Sequence, residues 1–116
     1  MGNMKRISVI CSRTTDSKGF KSLSRLNALN RDFWKSKIEN VIDSVPDIIV
    51  LPEYCDRFSD FSTAQYIDYI ENNGSIAELI SDIARKHKTQ ITYPGLRKHE
   101  SDTQYPYRNS IRMFDV

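Results

Sequence analysis

Asp47-Ile48-Ile49-Val50-Leu51-Pro52-Glu53-Tyr54-Cys55-Asp56 decides how this chain is read. Ile48 to Leu51 is an unbroken apolar run rich in β-branched residues, the pattern of a short strand buried on both faces. Pro52 stops it, because proline has no N–H for a ladder and fixes its own φ. Glu53 follows at once. A carboxylate just past the carboxyl end of a buried strand stands where open α/β sheets place their ligands. Partial burial there would raise its pKa toward the range of a general base.

Upstream, Ile7-Ser8-Val9-Ile10-Cys11 reads as a first strand, apolar at both parities and therefore an inner one. Residues 12–22 are polar apart from Phe20, include Gly19, and read as a loop. From Leu26 the pattern is helical: Leu26, Leu29, Phe33, Ile38, Val41 and Ile42 fall on one stripe, with Trp34 beside it as core packing. The helix should end before Pro46, since the residue preceding proline is pushed out of the α region.

Downstream, Tyr66, Ile67, Tyr69 and Ile70 suggest a short helix or turn, with Phe58 and Phe61 anchoring the loop before it or walling a substrate. Ser75-Ile76-Ala77-Glu78 has the form of a capping box. It opens a helix whose inner side is Ile76, Leu79, Ile80, Ile83 and Ala84. Arg85, Lys86 and Lys88 sit at the helix end favoured by cations, and His87 there reads as exposed. Gln90 to Tyr93 is a strand closed by Pro94-Gly95. Lys98 to Pro106 is polar and turn-rich, and Tyr107 to Val116 is a last strand with Ile111 and Met113 alternating against Ser110 and Arg112.

The expected fold class is therefore α/β, a mixed sheet with two main helices in the order β-α-β-(loop)-α-β-β. The βαβ units call for neighbouring parallel strands, and the loop-joined last pair should be antiparallel. Two helices cannot cover both faces of such a sheet. The apolar face left over must pack on a second sheet or a second copy of the chain.

With 116 residues, 39% hydrophobic and 28% charged, the chain has the bulk and composition of one globular domain. A net charge of +2, with basic residues scattered in pairs, argues against a nucleic-acid partner. No apolar run approaches transmembrane length, and the N-terminus runs into a strand, so neither a membrane span nor a signal peptide is expected. Gly2 lacks the Ser or Thr at position 6 that myristoylation requires, and Asn73-Gly74-Ser75 reads as a turn rather than a glycosylation site. Cys11 and Cys55, with no secretory signal, suggest reduced thiols in a cytoplasmic protein.

Several chemistries have no motif here. There is no phosphate-cradling glycine loop, no zinc spacing of Cys and His, and no Ser nucleophile elbow. No metal and no cofactor is expected. Cys55, two residues from Glu53, could in principle be a nucleophile with its base. No Gly flanks it to build an oxyanion hole, so it reads as a small buried hydrophobe.

Four features, taken in order, resemble the N-terminal part of the carbon–nitrogen hydrolase (nitrilase) superfamily. They are the strand Ile7–Cys11; the helix leading to Asp47–Tyr54 with its strand-terminal Pro52-Glu53; Ile83–His87 leading to Ile91-Thr92-Tyr93-Pro94-Gly95; and Tyr107-Arg108-Asn109-Ser110-Ile111-Arg112-Met113-Phe114. The resemblance covers nearly the whole chain. It implies an α-β-β-α four-layer sandwich, a Cys-Glu-Lys catalytic set and a small nitrile or amide as substrate. Only the Glu carries over, onto Glu53, as general base. The family's Lys and Cys follow the Tyr-Asn-Ser strand, so residues 1–116 read as the N-terminal portion of such a domain, inactive alone. No substrate-binding residue can be named, and a homo-oligomer formed through a sheet or helix face is expected.

Two other readings compete. A magnesium-dependent endonuclease/exonuclease/phosphatase also has an apolar strand ending in Glu, and Pro46-Asp47-Ile48-Ile49 suits it. That family, however, has Gln before the Glu, where this chain has Pro52, and Asn after the first strand, where it has Cys11-Ser12-Arg13. The non-enzymatic reading is a small α/β interaction domain that uses the bare sheet face.

Overall fold

The computed structural model describes residues 5–98 and 107–115. Ser22 starts the long helix α1 (Leu23–Ile42): its side chain accepts from the Arg25 N–H, satisfying one donor that the first turn leaves unpaired. Leu26, Asn30, Trp34 and Ile38, spaced four apart, form its buried line. Trp34 therefore lies on the core stripe rather than beside it. The polar Asn30 belongs to that line as well, which an apolar pattern could not show.

Between β1 (Ile7–Val9) and β2 (Ile48–Val50), α1 makes a parallel crossover with Ile7 opposite Ile48 and Val9 opposite Val50. Helix α2 (Thr63–Glu71) and helix α3 (Ala77–His87) follow, and β3 (Gln90–Lys98) pairs parallel to β2. Last comes β4 (Tyr107–Phe114), antiparallel to β3. The sheet order is β1-β2-β3-β4. The mixed sheet, with its parallel crossovers and antiparallel last pair, is as expected.

Four details differ from the sequence reading. β1 is an edge strand, not an inner one; its apolar residues at both parities reflect an apolar open face, where Ile7 and Val9 are each 60% exposed. β3 continues through Pro94-Gly95 to Lys98. Its partner β2 ends opposite Thr92, so beyond that point one side of β3 is open and a missing N–H breaks no ladder there. The capping box belongs to α2, where the Ser62 side chain accepts from the Gln65 N–H and the Gln65 side chain accepts from the Ser62 N–H. Ser75 instead bonds the Ala77 N–H, and α3 starts after Ile76 without a side-chain cap. Finally, the stretch read as a short helix or turn is the nine-residue helix α2, so the described residues form three helices where two main ones were expected. The expected turn-rich segment after Lys98 lies outside the described residues.

Trp34 and Ile38 of α1, Ile76, and Ile80 and Ala84 of α3 all pack with Ile49, Ile91 and Tyr93 on one face of the sheet. A second cluster under α2 joins Leu26, Phe58, Tyr66 and Tyr69. Strand register places Ile7, Val9, Ile48, Val50, Thr92, Ile111 and Met113 together on the opposite face. No described helix covers it, and Ile111 and Met113 are 70% and 53% exposed. His87 is exposed, as expected.

Candidate active site

Past Leu51 the chain leaves the sheet and turns over residues 53–56. Tyr54 takes φ +53°, the left-handed region that a bulky L residue enters only under constraint. That twist separates its neighbours. Glu53 goes outward and is exposed, whereas Cys55 and Asp56 go inward to 0% and 1% exposure. The partial burial expected of Glu53 is therefore not found, because the turn puts its carboxylate on the solvent side. Glu53 shares a shallow depression of about 280 Å³ with Thr14, Tyr54, Arg57, Phe58 and Ser59.

Arg57 brings a fixed positive charge to this depression. Its Nε and Nη2 both donate to the Phe61 carbonyl, at 3.1 and 2.8 Å, and its guanidinium lies 5.8 Å from the Tyr66 ring centre. Phe58 is wholly buried and anchors the loop, packing edge to face on Tyr69. A larger groove of about 720 Å³, between the loop around Ser17 and α2, shares no residue with the Glu53 depression. Asp60 on its wall is committed to Ser17, accepting from its N–H at 2.9 Å and its hydroxyl at 2.6 Å.

Cys55 is the small buried residue that the sequence suggested, at 0% exposure. Its thiol faces the Pro94 carbonyl in the core, and burial, with the nearby Asp56 charge, pushes its pKa up rather than down. The Trp34 indole N–H donates to the Cys55 carbonyl at 2.8 Å, which settles Trp34 as structural. Cys11 is exposed, just beyond β1.

Sequence reasoning missed what lies beneath the turn. The Asp56 carboxylate accepts from the Tyr93 hydroxyl at 2.5 Å and from the Tyr66 hydroxyl. The Asp56 carbonyl accepts from Asn30 Nδ2 at 2.9 Å. Leu96 N–H and Ile76 N–H in turn donate to the Tyr66 and Tyr93 hydroxyls, at 3.2 and 3.3 Å. Gly95 makes room for this: a Cβ there would stand 2.9 Å from Arg97 Nη1 and 3.4 Å from both Asp56 Oδ1 and the Tyr66 hydroxyl.

Among the described residues no three His, Cys, Asp or Glu come together to hold a metal ion, and no helix is long and apolar enough to cross a membrane.

No family model matches the chain, and no curated protein matches it. Among solved structures it is similar to the C. elegans NitFhit protein, a nitrilase-fold protein, with 25% identity and a TM-score of 0.67. The match covers 96% of this chain and 25% of that one. The chain thus spans about a quarter of the length of the protein it resembles. In three dimensions this chain resembles the N-terminal part of a carbon–nitrogen hydrolase (nitrilase) fold.

Proposed function

We propose that this chain is the Glu-bearing first portion of a carbon–nitrogen hydrolase domain acting on a small nitrile or amide, with Glu53 as general base. The observation that carries the reading is the turn at Tyr54, which presents the Glu53 carboxylate at the carboxyl end of β2 while burying Cys55. In the mechanism implied by the resemblance, Glu takes the proton of a Cys thiol. The thiolate then attacks the nitrile or amide carbon, and a thioimidate or acyl-enzyme forms. From an amide, ammonia or an amine leaves as the acyl-enzyme forms. From a nitrile, the thioimidate first adds one water and loses ammonia to reach the same thioester. In both cases a further water activated by Glu releases the acid and frees the thiol. A Lys stabilises the charge that develops on the way.

Neither cysteine of this chain fills the nucleophile's place. Cys55 is inert in the core, and Cys11 follows β1 rather than the later strand where the resemblance puts the nucleophile. The bare face of Ile7, Val9, Ile111 and Met113 supports the four-layer sandwich, in which a second sheet covers this one. The same exposed face favours a second reading, a homo-oligomer or interaction domain that closes it with another copy. Two unpaired thiols support a cytoplasmic location.

The test is ammonia release from a panel of nitriles and amides. The 116-residue chain alone should release none. A chain extended by the sequence encoded after Val116 should turn over, and Glu53→Gln should abolish that turnover. Hydrolysis by residues 1–116 alone that is lost in Glu53→Gln would overturn the two-part reading. Hydrolysis by the extended chain that survives Glu53→Gln would overturn the role of Glu53.

A further inference from the structure

We infer that Asp56 is the positioning residue for Glu53, the buried clamp that holds the 53–56 turn in its left-handed form. The inference rests on the reading of Glu53 as the base.

The connection runs through the backbone. Tyr54 is held at φ +53° with no glycine to make that conformation easy, so the surroundings must impose it. The constraint lies on the far side of the turn. Asp56 is bound by Tyr66 of α2, Tyr93 of β3 and Asn30 of α1, so three separate elements converge on one residue. The Trp34 indole adds a fourth tie, one residue earlier. Arg57 N–H closes the turn onto the Tyr54 carbonyl at 3.0 Å. With Leu51 held to β3 before the turn and Asp56 held after it, Glu53 has little freedom of direction.

Fold stability alone does not account for a carboxyl at this place. Asp56 is 1% exposed; the charge of Arg97 acts on it, but among the described residues no cation forms an ion pair with it. A buried acid satisfied by neutral hydroxyls still carries a desolvation cost, and an apolar side chain of similar size would fill the space at less. What the acid adds is direction. Two short bonds from phenols on different elements fix both oxygens, and through them the plane and position of the turn.

The experiment is amide hydrogen exchange by NMR on the 116-residue chain with Asp56→Ala, Asp56→Asn, Tyr66→Phe and Tyr93→Phe. The ratio of exchange at the Arg57 N–H to exchange at core amides of β2 and β3 reads local opening against global opening. The Tyr54 Cα shift reports whether φ stays positive. The expected result is a rise of about tenfold or more at Arg57 relative to the core amides, with Tyr54 leaving its left-handed shift. A uniform rise at all sites, or an unchanged Arg57 ratio with Tyr54 still left-handed, would show Asp56 to be merely structural and overturn the inference. If Asp56→Ala does not fold, the Phe variants decide, since each keeps its ring and deletes only its hydroxyl. None of these readouts needs turnover, so loss of the hydrolase reading and loss of the clamp would be told apart.

Discussion

Ile91 and Ile111 belong to the same antiparallel ribbon of β3 and β4, yet one is wholly buried and the other is 70% exposed. Their difference is that of the two faces of the sheet. On Ile91's side, α1 and α3 complete a core in which most buried polar groups have a partner: Asn30, Asp56, Tyr66 and Tyr93 bond one another or the backbone. On Ile111's side the same kinds of residue form an apolar surface that no described element covers. Side-chain chemistry is alike on the two faces, so what differs is what packs on them. The covered face holds the fold and carries the residues that tie down the Glu53 turn, while the open face is a bare apolar surface among the described residues.

The largest test of this asymmetry is Ile91→Ala, expected to lower unfolding free energy by about 2–5 kcal/mol in urea titrations, from lost transfer energy and an unfilled cavity. A cost under about 1 kcal/mol would mean that the helices do not seal that face. Next is Tyr93→Phe, which keeps the ring but removes a donor from Asp56 and an acceptor from the Ile76 N–H. It should cost about 1–3 kcal/mol, because it strands two buried polar groups. A neutral result would show water or another partner already serving Asp56.

The covered face should also announce itself through pH. Burial is the largest influence on Asp56 and raises its pKa; bonds from Tyr66 and Tyr93 and the charge of Arg97 oppose the rise without cancelling it. The folded chain therefore holds this proton more tightly than the unfolded one. The stability linked to it is fully present below about pH 4 and is lost as pH rises through the folded pKa. Exposed Asp60, four residues on, has the opposite sign. The Ser17 bonds lower its pKa, so its contribution is present above about pH 4 and lost as pH falls. Urea unfolding across pH should show the falling limb in the parent and its flattening in Asp56→Asn.

Most of the covered face was legible in the sequence, and the reasons are physical. The β2 run and its Pro52 stop, the stripe along α1 and the apolar side of α3 are periodic apolar patterns, and burial is what such patterns encode. The parallel and antiparallel senses of neighbouring strands followed from connection lengths, and the bare face followed from counting helices. Asn30 and Asp56 escaped because a polar residue on an inward line looks like an interruption until its partners, distant in sequence, are known. The exposure of Glu53 escaped for a related reason: nothing local forces Tyr54 into a left-handed conformation, so the turn's direction is set by Tyr66, Tyr93 and Trp34. β1 as an edge strand was hidden because apolar residues at both parities look the same whether the open face is packed or bare.

A smaller test uses the residue next to Tyr93. Thr92 points to the open face, where its hydroxyl is shielded from solvent and has no hydrogen-bond partner. Thr92→Val keeps the β-branched shape and removes the unsatisfied group, so it should stabilise the chain by about 1 kcal/mol, the reverse of Tyr93→Phe. A loss of stability would mean that the hydroxyl is bonded in solution, to water or to whatever covers this face.

The smallest expected effect is the one that most directly separates the readings of the open face. Ile111→Ala removes a side chain that is 70% exposed, so in a monomer it should change unfolding free energy by no more than about 0.5 kcal/mol. If a second copy sits on the open face, Ile111 is buried in the dimer. The substitution then costs stability, the cost grows with protein concentration, and sedimentation shows the parent heavier than the variant. If the face belongs to a second sheet of the same domain, the 116-residue chain stays indifferent to the change, while a chain extended past Val116 loses about 2–5 kcal/mol, as Ile91→Ala does here. The same substitution in two chain lengths thus says whether the bare face is an interface between molecules or the middle of a sandwich, the arrangement on which the role proposed for Glu53 depends.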